Sequence, residues 1–472
     1  MLDINGGVDC MNNTFLIALI IYLLVFLVIS IADIKKISVF TDYAVAGRHQ
    51  GSFAVIMTML ATIIGASTTI GITDTVYSIG FPGIWWLAFG AIGLMLQSFL
   101  ISEKVRGLNV STLPELAKVT VGKPAEVLLA AVIVISWIGV IAGQLVAMNS
   151  LITFATGKSS RGVFLIVSAI VILYTIIGGQ LSVVRTDRIQ LFIILAGVLV
   201  CFFYLYFVKG GDIYAICNGV EVVNENYGPV NMFTQFFVIG GVYFLGPDIM
   251  SRNFISKDAK TAKDSAIISG LILLLFAILI TMVGMWLRVN VPQEVMGDNK
   301  ALMYAVSIIP KVPAILLVFG LLSAILSSTD TCMINAATIF VKDILGKESV
   351  AAVRITVAVL GVLSSLLCIT GSSDIMTLLS NAYSIYTPGV IFPLLVAIIA
   401  HGRRKLNLPL WLVAVAAGGS LGLANAYLSK PLISLGVPEE LISYFPLIGM
   451  GVSLVIALVS VRWNAKAENK AK

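Results

Sequence analysis

Thirteen long runs of apolar residues, separated by short polar stretches, tile the chain. They cover 15–32, 52–78, 83–101, 125–156, 162–178, 187–208, 231–250, 264–287, 314–341, 350–371, 375–400, 409–428 and 444–461. Most reach the roughly 20 residues a helix needs to cross the hydrocarbon of a bilayer. None shows the ~10-residue alternating pattern of a membrane β-barrel strand. The pattern therefore predicts an all-α, multi-pass membrane protein with about 13 transmembrane helices.

Two runs are interrupted in their middle. The second carries Gly65-Ala66-Ser67-Thr68-Thr69, and the seventh carries Gly240-Gly241 and then Gly246-Pro247-Asp248. Unwound backbone at membrane depth is tolerated only where it is buried or lines a cavity. Broken helices at corresponding places in two halves point to a transporter's binding site. Here they stand five runs apart, an odd number, so two five-helix units, 52–208 and 231–400, would have opposite membrane orientation. That is an inverted repeat. Residues 14–33 form an extra N-terminal helix and 409–461 two C-terminal helices, all within one membrane domain over 1–472.

Composition removes the soluble alternatives. The chain is 59% hydrophobic and 11% charged, with a mean hydropathy of +1.02, against about 25% charged residues in a soluble protein. About 23 of the Lys and Arg residues fall on the side of the C-terminus and about 7 on the other. The positive-inside rule then puts the N-terminus outside and the C-terminus in the cytoplasm of a plasma (inner) membrane. The net charge of +6 belongs to this topology and not to nucleic-acid binding. The first run lacks the basic flank and cleavage site of a signal peptide and is read as a retained helix. The five cysteines have no metal or redox spacing. Cys10 and Cys217 both fall outside, where a disulfide is compatible, although free thiols are the expectation. His49 and His401 lie in loops and form no zinc motif. The Gly-rich runs lack the Lys-Ser/Thr of a P-loop. An enzyme is not expected.

The chemistry concentrates in the ninth run. Ser327, Asp330 and Thr331 follow i, i+3, i+4 spacing and share a helix face. Two hydroxyls and a carboxylate beside a broken helix suit a small hard cation, which prefers several oxygens. Asp330 sits near mid-membrane, where an unpaired carboxylate usually marks an ion or proton path. Asp187 opens the sixth run with Gln190 three residues on, so helix cap and ion ligand both remain open. Asp248 is placed to cap the helix after Pro247 or to pair with Arg252. Asp74 lies at the outer end of the second run, where solvation is expected. No arginine or lysine is read at mid-membrane. Ser111-Thr112-Leu113-Pro114-Glu115 is a helix start with Thr112 or Ser111 as cap, predicted to lie along the membrane surface.

Taken in order, the motifs resemble the sodium:solute symporters. They are Asp42-Tyr43-Ala44-Val45-Ala46-Gly47-Arg48, Leu60-Ala61-Thr62-Ile63-Ile64-Gly65-Ala66, Thr112-Leu113-Pro114-Glu115-Leu116, Gly178-Gly179 leading to Thr186-Asp187, Gly246-Pro247-Asp248 with Arg252, and Leu326-Ser327-Ser328-Thr329-Asp330-Thr331. The resemblance implies a LeuT-type fold and a sodium site formed by the carbonyls of Ala61, Ile64 and Ala324 with the hydroxyls of Ser327 and Ser328. Some members bind a second cation, which would fall on Asp187, Ser327, Asp330 and Thr331. Asp330 stands where those members carry a hydroxyl. Gln180 and Arg185 also depart from the family's pattern. Substrate contacts are expected at Ser67, Thr68, Thr69, Gln144, Tyr243, Phe244, Asn381, Tyr383 and Tyr386. The expected function is sodium-driven import of a small organic solute by a monomer in the bilayer, with sodium as the coupling ion. Two rivals stand beside it: a proton-coupled carrier titrating at Asp330 or Asp187, and a transporter-like sensor or channel that accumulates nothing.

Overall fold

The computed structural model describes residues 12–33, 37, 39–157, 161–218, 220–297, 299–370 and 374–471, and within these the elements are helices joined by turns and loops, with two isolated β-bridges as the β structure. Cys10 and the Lys35-Lys36 loop lie outside the described residues, as does the Cys217 side chain. Among the described residues, nine helices are long and apolar enough to cross a membrane, and a bent pair makes ten. The expected 13 are reached only by adding two shorter apolar helices, Ile17–Ala32 and Phe445–Val461, and by dividing the longest helix.

The elements run α1 (Asn12–Asp33), α2 (Ser52–Ile63), α3 (Ser67–Ile79), α4 (Phe81–Gly107), α5 (Leu113–Thr120), α6 (Lys123–Thr156), α7 (Arg161–Phe203), α8 (Pro229–Leu245), α9 (Pro247–Ile255), α10 (Ala259–Asn290), α11 (Lys311–Ile339), α12 (Val350–Thr370), α13 (Ile375–Ala400), α14 (Leu408–Tyr427) and α15 (Phe445–Ala471). At about 1.5 Å per residue, α7 would be roughly twice as long as the ~30 Å hydrocarbon is thick. It is two helices joined at Gly179, whose φ of 57° is non-helical. A Cβ there would also meet the Tyr43 ring at 2.6 Å. The paired glycines of the sequence are thus a chain turn pressed against an aromatic ring.

Both broken helices are present. α2 and α3 meet at 61°. α8 and α9 are separated at Gly246, which is extended at φ −65°, ψ 143°. The expected break at Gly240-Gly241 is corrected, because α8 continues through both residues. These glycines allow close packing instead: a Cβ on Gly240 would stand 3.2 Å from the Phe89 carbonyl, and one on Gly241 2.6 Å from Thr387.

The broken helices pack on the centre of the bundle. α11 packs most extensively on α7 and also on α6, and α2 rests on α7 and α10. Every residue of α11 from Gly320 to Ile339 is buried. The polar residues in that stretch therefore have only protein partners or a bound solute to face. α5 begins as its motif predicts, with Thr112 Oγ1 accepting from Glu115 N and Glu115 accepting from Ser111 N.

Candidate sodium and solute site

α2 stops at Ile63, and Ile64 (φ −80°, ψ 76°) turns its carbonyl out of the helical ladder. Local side chains fix the break. Thr68 Oγ1 accepts from Gly65 N at 2.9 Å and donates to Ile63 O at 2.9 Å, while Thr69 Oγ1 donates to Gly65 O at 2.7 Å. Gln144 Oε1 of α6 accepts from Ala66 N at 3.1 Å.

Two hydroxyls of α11 face this break. Ser327 Oγ lies 2.7 Å from Ala61 O, 2.9 Å from Ser323 O and 3.2 Å from Ala324 O. Ser328 Oγ lies 2.8 Å from Thr62 O. A hydroxyl has one proton, so Ser327 serves only one of its three carbonyls at a time. The cluster holds more acceptors than donors, all of them uncharged oxygens. That chemistry fits a small hard cation. Ala61, Ala324, Ser327 and Ser328 are brought together as expected, with Ile64 at the break beside them.

The acids are arranged differently from the sequence reading. Asp187 lies inside the second half of α7 and caps nothing. Its Oδ2 stands 3.3 Å from Arg252 Nη2, both side chains fully buried, and it also accepts from Thr58 Oγ1. The same Nη2 donates to Thr62 Oγ1 and, at 2.8 Å, to Thr331 Oγ1. The expectation of no cation at mid-bundle is therefore corrected. α9 remains within the protein through Arg252, whereas the sequence reading ended that run two residues earlier. Asp330 keeps no basic partner among the described residues. Its Oδ1 accepts from Tyr174 Oη and, at 2.8 Å, from Thr175 Oγ1. Asp330 Oδ2 and Asp187 Oδ1 are buried without a hydrogen-bond partner.

Between the two breaks lies a cavity of about 40 Å³. Of the nine expected substrate residues, Ser67, Gln144, Tyr243 and Tyr383 line it. Thr68 and Thr69 spend their hydroxyls on the break. Phe244 lines a separate apolar pocket with Phe236 and Phe237. Tyr386 Oη donates to Leu245 O at 2.6 Å, and its ring packs edge-on against Trp137. Asn381 is half-buried and does not line the cavity. The sequence reading missed Trp137, Asp248 and Cys332, which do line it. The signal for Asp248 was its place directly after the Gly246-Pro247 break.

At the far end of α3, Asp74 is not solvated as expected. Lys300 Nζ bridges it, at 3.0 Å, to Asp374, at 2.9 Å, beside a pocket of about 390 Å³. Partial burial pulls the Lys300 ammonium down, but the two carboxylates outweigh it and hold its pKa above 10.5. Burial pushes Asp374 up, and its bond to Lys300 outweighs this and holds it below 3.8.

The sodium:solute symporter profile matches residues 43–404, most of the chain. The chain belongs to the sodium:solute symporter family. As a family member it is a sodium-coupled symporter of a small solute and not an enzyme, with sodium as its coupling ion. It is 25% identical to a sodium/pantothenate symporter of Haemophilus influenzae, over 71% of this chain and 72% of the relative. It is likewise 25% identical to the high-affinity choline transporter 1 of Drosophila melanogaster, over 96% and 79%. An osmoregulated proline transporter of Bacillus subtilis is 24% identical, over 81% and 84%. The symporter's fold is that of a solved Na+-coupled sialic acid symporter, with a TM-score of 0.78 at 18% identity over 94% of this chain and 96% of that one. MhsT in complex with L-phenylalanine superposes at a TM-score of 0.53 and 15% identity, over 87% of this chain and 99% of that one.

Proposed function

We propose that this symporter is a monomeric importer of the plasma membrane, with its N-terminus outside and its C-terminus in the cytoplasm. The orientation is supported by the excess of Lys and Arg on the C-terminal side. Sodium binds at the break of α2, to the carbonyls of Ala61, Ile64 and Ala324 and the hydroxyls of Ser327 and Ser328. The observation that carries this assignment is the Ser327 hydroxyl placed among three carbonyls. Sodium bridges α2 and α11 there and thereby ties the two proposed repeats, 52–208 and 231–400, together. The extra helices 14–33 and 409–461 stand outside the repeats.

A second cation binds around Asp330, whose Oδ2 is buried without a partner. Asp187 and Thr331, also expected there, are engaged by Arg252 and contribute only through Asp187 Oδ1. The solute occupies the cavity lined by Ser67, Gln144, Tyr243 and Tyr383. A 40 Å³ cavity holds only a few waters, so the solute enters by a helix movement that the two breaks permit. Thr68, Thr69, Phe244, Asn381 and Tyr386 reach it only through such movement.

Uptake of labelled choline, L-proline and pantothenate into proteoliposomes tests the proposal, with sodium and pH gradients imposed separately. Accumulation under an inward sodium gradient alone is expected. Accumulation driven by a proton gradient in sodium-free buffer would overturn it in favour of the proton-coupled carrier, and equilibration without accumulation would favour a channel.

A further inference from the structure

Asp248 stands apart from the other acids of the bundle interior. Asp187, Asp330 and Asp343 are sealed at 0% exposure, whereas Asp248 retains 9% and borders the central cavity. It is the second residue of α9, after Pro247 and the extended N-cap Gly246. Three donors fix its carboxylate. Trp137 Nε1 of α6 donates to Oδ2 at 2.7 Å, Cys332 Sγ of α11 donates to the same oxygen at 3.3 Å, and Asn335 Nδ2 donates to Oδ1 at 2.8 Å. Charge-assisted bonds of this kind hold a carboxylate in one geometry. This is a built position and not an incidental surface acid.

No basic group pairs with it directly, although the charge of Arg252 acts on it from beyond 4 Å. Among the described residues, no Lys or Arg nitrogen lies within 4 Å of Asp248. Arg252 follows one turn later on α9, but its Nη2 is held by Asp187, Thr62 and Thr331 and its Nη1 by Ser251. The interior thus carries more carboxylates than cations, and one of those carboxylates faces the space that a solute enters. Aromatic rings share this cavity. Trp137 donates to the acid, Tyr243 and Tyr383 line the same wall, and the Trp137 and Tyr383 rings lie 6.4 Å apart. A carboxylate beside aromatic faces is the chemistry that attracts an ammonium group, through charge and through the ring quadrupole. It repels a carboxylate solute, and no Lys or Arg lines the cavity to offset that.

We infer that the transported solute carries an ammonium group, as a small organic cation or zwitterion, and that Asp248 is the residue that selects it. This rests on the central cavity being the solute site, and it narrows that reading to a substrate class. Sodium's proposed first site is built from uncharged oxygens, with Ser328 also bordering this cavity, and its second from Asp330, so the solute's ammonium and the coupling ion do not share an acid. Each translocation of a cationic solute would then add its charge to that of sodium.

The test is ligand-induced thermal stabilisation of the purified symporter in sodium and in potassium. The panel holds ammonium-bearing probes (choline, glycine betaine, L-proline), neutral probes (D-glucose, uracil) and anionic ones (pantothenate, N-acetylneuraminate). Sodium-dependent stabilisation by at least one ammonium-bearing probe is expected. Asp248→Asn, which keeps the side-chain shape, should weaken that probe's affinity at least tenfold and leave stabilisation by sodium itself unchanged. The retained sodium effect reports that the variant is folded, and if it is not folded, the wild-type panel decides alone. Stabilisation by neutral or anionic probes only, by none of the panel, or equally in Asp248→Asn overturns the inference while leaving sodium coupling intact. Loss of any sodium effect in the wild type would instead defeat the sodium-site reading beneath it.

Discussion

Asp187 Oδ2 and Arg252 Nη2 form an ion pair at 3.3 Å that links α7 to α9, with both side chains fully buried. Each charge needs the other, because removing one partner leaves an uncompensated charge away from water. Asp187→Asn and Arg252→Met are each expected to destabilise the protein by about 3–5 kcal/mol. The double variant Asp187→Asn with Arg252→Met should recover part of that loss. Thermal unfolding in detergent, analysed as a double-mutant cycle, checks it. Additive losses would show that the pair is not coupled.

The second prediction concerns charge movement. Asp330 has hydrogen bonds from Tyr174 and Thr175 but no cationic partner among the described residues. A bound cation would remove the cost of that charge, and each charge moved inward couples roughly 2.3 kcal/mol per 100 mV. That is about a 50-fold difference in accumulation. Asp330→Asn should lower the number of coupled cations by one and flatten the voltage dependence. Reversal potentials of wild type and variant measure this. An identical stoichiometry in both would remove Asp330 from the coupling.

Arg252 and Asp248 show where sequence reading ended. Ser327, Asp330 and Thr331 were legible as one helix face because helix periodicity is local, and the break at Gly65 because glycine in an apolar run marks one, whereas Ser328 and the carbonyls of Ala61, Ile64 and Ala324 came from the resemblance to the sodium:solute symporters. The depth of Arg252 depends on where α9 starts and how far it remains enclosed, which neighbouring helices decide. The role of Asp248 depends on Trp137 and Asn335, about a hundred residues away in the chain on either side. Phe244 and Asn381 do not line the cavity, and the sequence could not show this, because a helix that is apolar all round gives no phase to tell its cavity face from its lipid face. Gly240-Gly241 looked like a break, but glycine serves close helix packing equally well.

The third prediction concerns the break itself. A Cβ on Gly65 would collide with the Ser328 hydroxyl and stand 3.2 Å from Gln144 Nε2. Gly65→Ala should therefore displace a proposed sodium ligand, raise the half-saturating sodium concentration roughly tenfold, about 1.4 kcal/mol, and leave the helical content unchanged. Sodium titration of uptake or stabilisation measures it, and unaltered sodium dependence would contradict the placement of Ser328.

The fourth concerns the Lys300 bridge between Asp74 on α3 and Asp374 at the start of α13. The raised Lys300 pKa makes its contribution complete below 10.5 and lost only as pH rises through the folded value. The lowered Asp374 pKa makes its contribution complete above 3.8 and lost as pH falls through its folded value. The Lys300–Asp374 arm of the bridge should thus be constant between about pH 5 and pH 9. Lys300→Ala should open this end at every pH in that window. Faster thiol labelling of a Ser67→Cys reporter in the Lys300→Ala background than in Ser67→Cys alone, compared at one pH, checks it; equal labelling in the two backgrounds would contradict it.

The central claim is that sodium binds where Ser327 and Ser328 meet the broken end of α2, and it can be tested without knowing the solute. Equilibrium binding of radioactive sodium to the purified protein measures it directly, in wild type and in the double variant Ser327→Ala with Ser328→Ala. Each lost hydroxyl is expected to cost roughly 1–3 kcal/mol of binding, so the double variant should lose the saturable component at this site while its thermal unfolding stays cooperative. Saturable sodium binding of unchanged affinity and stoichiometry in a well-folded double variant would contradict the account.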